Sequence, residues 1–141
     1  MPETYKFDAV IIGAGIVGLA IAHRLREKFD SILLVEKEYS FGKHVSSRNS
    51  EVIHSGIYYK PGSMKAKLCV EGNHLLYSYC QKKGIDFKKI GKLIIAKDSN
   101  ESNALDKLFQ NGKANGVKGL SIINKKEITK REPNLNAKYA I

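Results

Sequence analysis

Three glycines near the start of the chain have the spacing of a phosphate-binding turn. Gly13, Gly15 and Gly18 fit the pattern G-x-G-x-x-G, and Glu36 follows 18 residues after the last of them. In such a turn the first glycine allows a tight exit from a strand, the second lets a pyrophosphate approach the backbone, and the third lets a helix pack on the sheet. A carboxylate about 20 residues further on accepts hydrogen bonds from ribose hydroxyls. The pattern indicates a dinucleotide site, with FAD or NAD preferred to NADP because a carboxylate disfavours a 2′-phosphate.

The elements that must position these residues can be read from the flanking sequence. An apolar run, KFDAVII, spans residues 6–12 and ends directly at Gly13, which predicts a buried strand. Helical periodicity follows over residues 18–29, and a second strand is predicted over 31–35, immediately before Glu36. The N-terminus of the helix supplies free N–H groups and a partial positive charge to a pyrophosphate. The order of strand, glycine turn, helix and strand predicts the βαβ start of a Rossmann-like α/β fold, and favours a dinucleotide site over an incidental glycine turn.

Length and charge exclude several classes of protein. The chain has 141 residues, with 24 Lys and Arg against 14 Asp and Glu, and a formal charge of +10, which fits one modest domain. A basic chain invites a nucleic-acid partner, since phosphate neutralisation dominates non-specific affinity. However, 20 of the 24 cations are Lys and are spread along the chain, whereas bidentate phosphate recognition favours Arg. We therefore predict a compositional bias and no nucleic-acid partner, and attraction of an anionic substrate or membrane surface stays open as a weaker alternative.

Cysteine usage and the N-terminal segment bear on the compartment. Cys69 and Cys80 lie 11 residues apart, which is neither a C-x-x-C pair nor a zinc-ligand spacing, so we predict reduced thiols and no metal site. The first apolar run is broken by glycines, and therefore predicts neither a signal peptide nor a membrane span. A cytoplasmic location is the prediction, with peripheral association with the inner membrane as an alternative.

A segment rich in hydroxyls and small residues follows the second strand. Residues 46–69 read SSRNSEVIHSGIYYKPGSMKAKLC, and the block NSEVIHSGIYYKPGSMKAKLCVEG extends over 49–72. With the GAGIVG turn and GKLIIA at 91–96, this block resembles the flavin-dependent oxidoreductases of the D-amino acid oxidase superfamily, and within it the L-2-hydroxyglutarate dehydrogenases and oxidases. The shorter stretch SSRNSEVIHSG is also similar to flavin-dependent glycerol-3-phosphate dehydrogenases. The likeness covers nearly the whole chain.

The resemblance implies an FAD-dependent enzyme that oxidises a CH–OH group by hydride transfer to flavin. Its implied substrate is a small 2-hydroxy acid. The first candidate is L-2-hydroxyglutarate, which would be converted to 2-oxoglutarate. Carried over by position, the resemblance assigns the ADP half of FAD to Gly13, Gly15, Gly18 and Glu36. It assigns the diphosphate and ribityl chain to four consecutive loop residues, Ser47, Arg48, Asn49 and Ser50.

The resemblance also implies that His54 approaches the isoalloxazine and the substrate. An imidazole titrates near neutral pH, so His54 is a candidate to accept the hydroxyl proton as the hydride leaves. The competing interpretation is a histidine ring that only donates a hydrogen bond to backbone. His44 is expected on the flavin side or behind the residues that contact it, whereas His23 and His74 are expected on helix surfaces.

Further residues after His54 are candidates for substrate contact. Tyr58, Tyr59 and Lys60 could line a carboxylate-binding pocket. Lys65 and Lys67 offer charge to a dicarboxylate, although a solvated helix face is an equally good interpretation of both.

The remainder of the chain predicts scaffold elements. A helix is expected over 63–83, beginning at Ser63 and ending at Gly84; its expected core positions are Leu68, Leu75, Leu76 and Tyr79. Residues 85–98 predict two strands. A helix capped by Ser99 or Asn100, with Gly112 and Gly116 as stops, is expected next, followed by a strand in GLSIIN and a short helix before Pro133.

These features divide the chain by function. We assign residues 1–84 to the N-terminal part of an FAD-binding domain, and 85–141 to the start of a substrate-side α+β portion. A flavin fold needs later strands and a substrate domain, so the chain is expected to be an incomplete, truncated N-terminal piece with a C-terminal polypeptide as partner. The alternative is an inactive remnant, or half of a split enzyme that needs a C-terminal chain. An NAD-dependent dehydrogenase is a third hypothesis, to which the 49–56 block gives little support.

Overall fold

The computed structural model describes residues 3–141, and it divides them into two compact units. The first unit ends at Val52, and the second is Ile53–Ile141. This division rests on compactness, whereas the division into 1–84 and 85–141 was predicted on functional grounds and stays a prediction.

The first unit is the predicted βαβ start. Strand β1 (Ala9–Ile12) leads through the glycine turn (residues 13–18) into helix α1 (Ile16–Leu25), and β2 (Ile32–Val35) follows. The two strands are parallel, with Ala9 opposite Ile32 and Ile12 opposite Val35. A 3-10 helix, Val45–Ser47, comes after β2. The predicted α/β fold class with a Rossmann-like start is confirmed. The expectation that the first strand is buried was wrong, because only alternate residues of β1 are half-buried, and Val10 and Ile12 on its other face are exposed.

Asp8 and Ser31 join the beginnings of β1 and β2. The Ser31 N–H and hydroxyl both donate to Oδ2 of Asp8 at 2.8 Å, and the Asp8 N–H in turn lies 3.0 Å from Oγ of Ser31. The Ser31 hydroxyl, followed by the backbone N–H groups, lowers the pKa of Asp8. These bonds set the register of the two strands just before the ladder begins.

The long helices of the second unit begin at side-chain caps. Helix α2 (Met64–Lys83) begins at Ser63, whose Oγ accepts the Ala66 N–H at 3.2 Å, and it ends at Gly84 with φ of 64°, as predicted. Helix α3 (Ser99–Ala114) is capped by Asp98, whose carboxylate accepts two backbone N–H groups. The expected cap at Ser99 or Asn100 was wrong, because the carboxylate one residue earlier already satisfies the first turn.

The second unit also has a small antiparallel sheet of order β3-β5-β4. Its strands are β3 (Ile95–Ala96), β4 (Ile123–Asn124) and β5 (Tyr139–Ala140), and helix α4 (Lys125–Arg131) follows β4. The central strand, β5, was not predicted, since two residues are too few to show an alternating pattern. Residues 85–90 were expected to form a strand, but they have no regular structure, and every one of them is exposed, so no apolar face favours a strand there.

Helix α2 buries small residues, and several of its large ones are exposed. Its buried side chains are Ala66 and Cys80. The four residues expected in the core are between 43% and 62% exposed, and that expectation was wrong: Leu68, Leu75, Leu76 and Tyr79. The core of the unit lies instead around two clusters, one containing Ile57 and Leu105, and the other containing Ile128.

Two further features of the described residues bear on function. Within residues 3–141, no helix combines the length and the apolar character needed to cross a membrane. In the same residues no group of His, Cys, Asp or Glu is arranged to hold a metal ion.

Candidate dinucleotide site and histidine loop

The glycine turn has the geometry that its three glycines predict. Gly13 has φ of +102°, which side chains rarely adopt, and its N–H donates to the Val35 carbonyl at 2.7 Å. A Cβ added to Gly18 would lie 2.0 Å from the Gly13 carbonyl oxygen, so only glycine lets α1 approach the end of β1 this closely. A Cβ added to Gly15 would lie 3.2 Å from Oγ of Ser46. The turn therefore brings a bare stretch of backbone to the N-terminus of α1.

Several backbone N–H groups at the N-terminus of α1 are unpaired within residues 3–141. The Ile16 N–H donates to Oγ of Ser46 at 2.9 Å, and Gly15, the N-cap residue, provides no side-chain cap. Among residues 3–141, no acceptor pairs with the N–H groups of Gly15, Val17 and Gly18. Free N–H groups and the positive end of the helix dipole together attract a phosphate group.

Glu36 lies at the end of β2, beside the glycine turn. Its Oε2 accepts the Ala14 N–H at 2.6 Å, and its Oε1 accepts the Glu38 N–H at 3.1 Å. The Ala14 bond, and after it the Glu38 bond, lowers the pKa of Glu36, so the side chain is a carboxylate at neutral pH. Each carboxylate oxygen has two acceptor sites, so both oxygens can accept a further donor such as a ribose hydroxyl.

These residues fit a dinucleotide such as FAD. The space beside Gly15 and the unpaired N–H groups belong to the start of α1, and the half-buried Glu36 carboxylate is bonded to Ala14, immediately before them. Donors for a pyrophosphate and an acceptor for a ribose are therefore side by side, as the G-x-G-x-x-G pattern requires.

Ser46 is a site residue that sequence reasoning missed. It is half-buried, and its hydroxyl oxygen accepts the first N–H of α1, 30 residues earlier in the chain. The predicted group of cofactor-binding loop residues began one residue later, at Ser47. The Ser47 hydroxyl donates instead to the His44 carbonyl at 3.2 Å. The only available signal was that both serines belong to the SSRNS stretch, and spacing cannot show which of two adjacent serines faces the turn.

The four predicted loop residues are exposed in the first unit. Asn49 turns back on the chain, since its Nδ2 donates to the Ser46 carbonyl at 3.1 Å and its Oδ1 accepts the Glu51 N–H at 2.8 Å. Their assignment to the diphosphate and ribityl chain stays a prediction for all four: Ser47, Arg48, Asn49 and Ser50.

His44 lies close to the carboxylates that follow β2. Its Nε2 is 2.9 Å from Oε1 of Glu38, and its charge contributes to lowering the pKa of Glu36. Lys37 Nζ lies 3.9 Å from the same Glu38 oxygen. His44 therefore stabilises the negative charge of the carboxylates that follow β2.

His54 belongs to the second unit, in a segment that we call the histidine loop (residues 54–59). Its side chain is exposed, and within residues 3–141 the imidazole forms no hydrogen bond. Its carbonyl oxygen, by contrast, accepts Nδ2 of Asn73 at 3.0 Å, with Sγ of Cys69 at 3.6 Å. The described residues show no hydrogen bond from the His54 ring to backbone, as the competing interpretation requires. The catalytic role of His54 stays a prediction.

Aromatic residues and lysines surround the end of the histidine loop. Lys65 Nζ lies 4.5 Å from the ring centre of Tyr59, and Lys92 Nζ lies 5.3 Å from that of Tyr58. The two cations therefore lie over aromatic faces, where they remain able to attract an anion.

Comparison with known proteins identifies the family. The family described as "FAD dependent oxidoreductase" matches residues 8–141. The chain is 51% identical over 141 residues to a human L-2-hydroxyglutarate dehydrogenase, mitochondrial, and 48% identical over 136 residues to that of Arabidopsis thaliana. These alignments cover 99% and 96% of this chain, but 30% and 28% of the two relatives. The chain thus spans about a third of the length of the curated relatives it matches.

Solved structures agree with this assignment. A dithionite-reduced L-alpha-glycerophosphate oxidase from Mycoplasma pneumoniae with FAD bound has a TM-score of 0.82 and 30% identity, covering 97% of this chain and 37% of that one. A glycine oxidase from Bacillus cereus is 21% identical, with a TM-score of 0.69, and shares the fold. The match covers 96% of this chain and 38% of the glycine oxidase chain. Because the family match takes in nearly every residue, the chain belongs to the FAD dependent oxidoreductase family.

Proposed function

We propose that this chain forms the FAD-binding N-terminal part of an oxidoreductase that oxidises L-2-hydroxyglutarate to 2-oxoglutarate. The observation that carries the proposal is the 51% identity to the human L-2-hydroxyglutarate dehydrogenase over 99% of this chain. The paired Ala14 and Glu36 beside an open helix N-terminus support the cofactor part of the proposal independently.

The residues of the first unit hold the cofactor in this proposal. The N–H groups of Gly15 and Val17 bind the pyrophosphate, and Glu36 binds the adenosine ribose, while Gly13 and Gly18 shape the turn. Ser47, at the end of the 3-10 helix, and the three residues after it, Arg48, Asn49 and Ser50, would contact the diphosphate and ribityl chain. When bound, FAD supplies a two-electron acceptor for the hydride on the hydroxyl-bearing carbon.

The histidine loop handles the proton and the substrate charge. His54 accepts the proton of the substrate hydroxyl, since its imidazole is exposed and has no partner among the described residues. Lys65, held over the Tyr59 ring, attracts a carboxylate of the substrate. The proton would thus go to His54, and FAD, when bound, would supply the acceptor for the hydride.

Partner and location are further parts of the proposal. We propose that a C-terminal polypeptide, of the kind that makes up the rest of the relatives' length, completes the flavin fold. The alternative is that the chain is an inactive remnant. The reconstitution experiment below distinguishes this alternative from the proposed function. The named relatives are mitochondrial proteins; the cytoplasmic location predicted from the sequence, and peripheral membrane association, stay predictions.

Reconstitution tests the proposal directly. The chain is purified alone, and also together with a polypeptide matching the remaining C-terminal part of the human relative; we call the second preparation the reconstituted mixture. A visible absorption spectrum reports bound flavin in each. L-2-Hydroxyglutarate is then added without oxygen, with D-2-hydroxyglutarate and L-glycerol 3-phosphate as comparisons.

We expect flavin absorbance in the reconstituted mixture, and bleaching by L-2-hydroxyglutarate much faster than by either comparison compound. Absence of flavin from both preparations would support the inactive remnant. Bleaching by L-glycerol 3-phosphate alone would keep the FAD assignment and replace the substrate.

A further inference from the structure

The backbone of the histidine loop is held by asparagine side chains from outside the loop. Nδ2 of Asn111, on α3, donates to the carbonyls of Ile57 at 2.6 Å and Tyr59 at 2.9 Å. Nδ2 of Asn115, the C-cap of α3, donates to the carbonyls of Gly56 at 2.9 Å and Tyr59 at 2.7 Å. Two amide groups thus account for four hydrogen bonds to three carbonyl groups of the loop backbone.

A third asparagine holds the other end of the loop. Nδ2 of Asn73, on α2, donates to the carbonyl of His54 at 3.0 Å. Asn73, Asn111 and Asn115, which we call the asparagine trio, therefore bond the loop at both ends from two different helices. All these residues lie in the second unit.

Glycines allow the helices to reach the loop. A Cβ added to Gly112 would lie 2.9 Å from Cγ1 of Ile57 and 2.7 Å from Cδ1 of Leu120. Gly112 was expected to stop α3, and that expectation was wrong: the helix continues to Ala114, and the glycine is the point where it touches the loop. On the other side, a Cβ added to Gly56 would lie 2.9 Å from Cγ2 of Val70.

The donors of the α3 amides are directed at the loop backbone. Both N–H bonds of each α3 amide point at loop carbonyls, while Oδ1 of Asn115 is buried without a partner among residues 3–141. A buried amide oxygen without a partner is costly, whereas the Nδ2 group of Asn115 satisfies two loop carbonyls that would otherwise lose this donor. The amides thereby provide a fixed path for the loop backbone.

We propose that the asparagine trio are positioning residues, which fix the histidine loop so that His54 and Tyr59 are presented in one orientation. This inference rests on the proposed function, because the orientation matters for accepting the substrate proton. A general acid or base must lie within hydrogen-bond reach of the proton it takes, and a small displacement of its backbone removes that reach.

Hydrogen exchange on the chain tests the fixing of the loop without flavin or substrate. Asn111→Asp replaces a group that donates to two carbonyls by a carboxylate that can only repel them. We expect amide exchange in residues 53–60 to rise by at least about tenfold, with exchange in residues 120–129 unchanged. The matched control is Asn103→Asp on the same helix, because Asn103 is exposed and forms no side-chain hydrogen bond among the described residues. Asn73→Asp provides a milder second variant, should the first not fold.

The reconstituted mixture tests the link to the chemistry. We expect Asn111→Asp to lower the rate of flavin reduction at saturating L-2-hydroxyglutarate by at least about tenfold with unchanged flavin content, and Asn111→Gln, which keeps the donor, to recover part of it. Unchanged loop exchange, or a rise spread evenly over both segments, would overturn the inference. So would a loosened loop with an unchanged reduction rate. If the unsubstituted mixture reduces no flavin, the proposed function has failed, and the exchange result still decides whether the trio fixes the loop.

Discussion

The Glu36 carboxylate accepts the backbone N–H of Ala14 at 2.6 Å, which ties the end of β2 to the middle of the glycine turn. The two residues are 22 positions apart, and the parallel pairing of β1 with β2 brings them together. The same bond holds the pKa of Glu36 below its ordinary value. One side chain therefore shapes the glycine turn, and also places a negative charge beside it.

Substitution of Glu36 tests the role of its charge. Glu36→Gln keeps an acceptor oxygen but removes the charge, and we expect flavin affinity in the reconstituted mixture to fall by about tenfold, because charge-assisted hydrogen bonds are the stronger ones. Titration of FAD, followed by quenching of flavin fluorescence, measures the dissociation constant. Glu71→Gln, an exposed position on α2, is the control. Equal affinities in all three proteins would remove Glu36 from the site.

Gly18→Ala tests the close approach of α1. The added methyl would lie 2.0 Å from the Gly13 carbonyl oxygen, so α1 must move away from β1. We expect a loss of about 2 kcal/mol or more in the free energy of unfolding of the first unit, and loss of bound flavin. In the helical control Gly72→Ala the added methyl meets nothing within 4 Å, and a gain of about 0.5 to 1 kcal/mol is expected from helix propensity. Urea unfolding measures both, and similar effects of the two changes would contradict the packing argument.

Ser46→Ala tests the role of Ser46, which was not predicted from the sequence. It removes the acceptor of the Ile16 N–H, and a lost cap of this kind costs about 1 kcal/mol. We also expect weaker flavin binding, since Ser46 lies against Gly15, where a pyrophosphate would approach. Ser78→Ala, an exposed position on α2, is the control in the same unfolding and fluorescence measurements. No difference between the two variants would count against a place for Ser46 in the site.

The bonds between Asp8 and Ser31 predict loss of stability in acid. The pKa of Asp8 is lowered in the folded chain, so its contribution to stability is fully present above the unfolded value near pH 4 and is lost as pH falls through the folded value. We expect Asp8→Asn to be less stable than the unsubstituted chain at pH 7, with the difference shrinking below about pH 4. Urea midpoints at pH 7 and pH 3 provide the comparison. A difference that is constant with pH would show that the carboxylate charge is not involved.

His54→Ala tests the proposed proton acceptor. In the reconstituted mixture we expect the rate of flavin reduction by L-2-hydroxyglutarate to fall by at least about tenfold without loss of flavin, because the hydroxyl proton then has no acceptor. His74→Ala, an exposed position on α2, is expected to leave the rate unchanged. Stopped-flow absorbance without oxygen records both rates. Unchanged reduction in His54→Ala would leave this residue without a catalytic role.

Much of the first unit could be predicted because its signals are local. The apolar strands, the glycine spacing and Glu36 lie within about 30 consecutive residues, and parallel pairing then brings them together. The caps of α2 were predicted for the same reason, since Ser63 and Gly84 act on the turns next to them.

The second unit was predicted less well because its contacts join residues far apart in sequence. Strand β5 exists only through pairing with β3 and β4, and the exposed leucines of α2 follow a helical period without being buried. Asn111 bonds residues more than 50 positions earlier, which no spacing rule detects.

By itself, the sequence determined the βαβ start, the glycine turn, the carboxylate that follows it and, through resemblance, the FAD dependent oxidoreductase family. It could do so because backbone conformation at glycine and strand alternation are properties of neighbouring residues. Only the tertiary structure decided that Ser46 faces the turn, and that three asparagines hold the histidine loop. Those choices depend on which side chains meet across the fold, and the meeting is set by packing between elements distant in sequence.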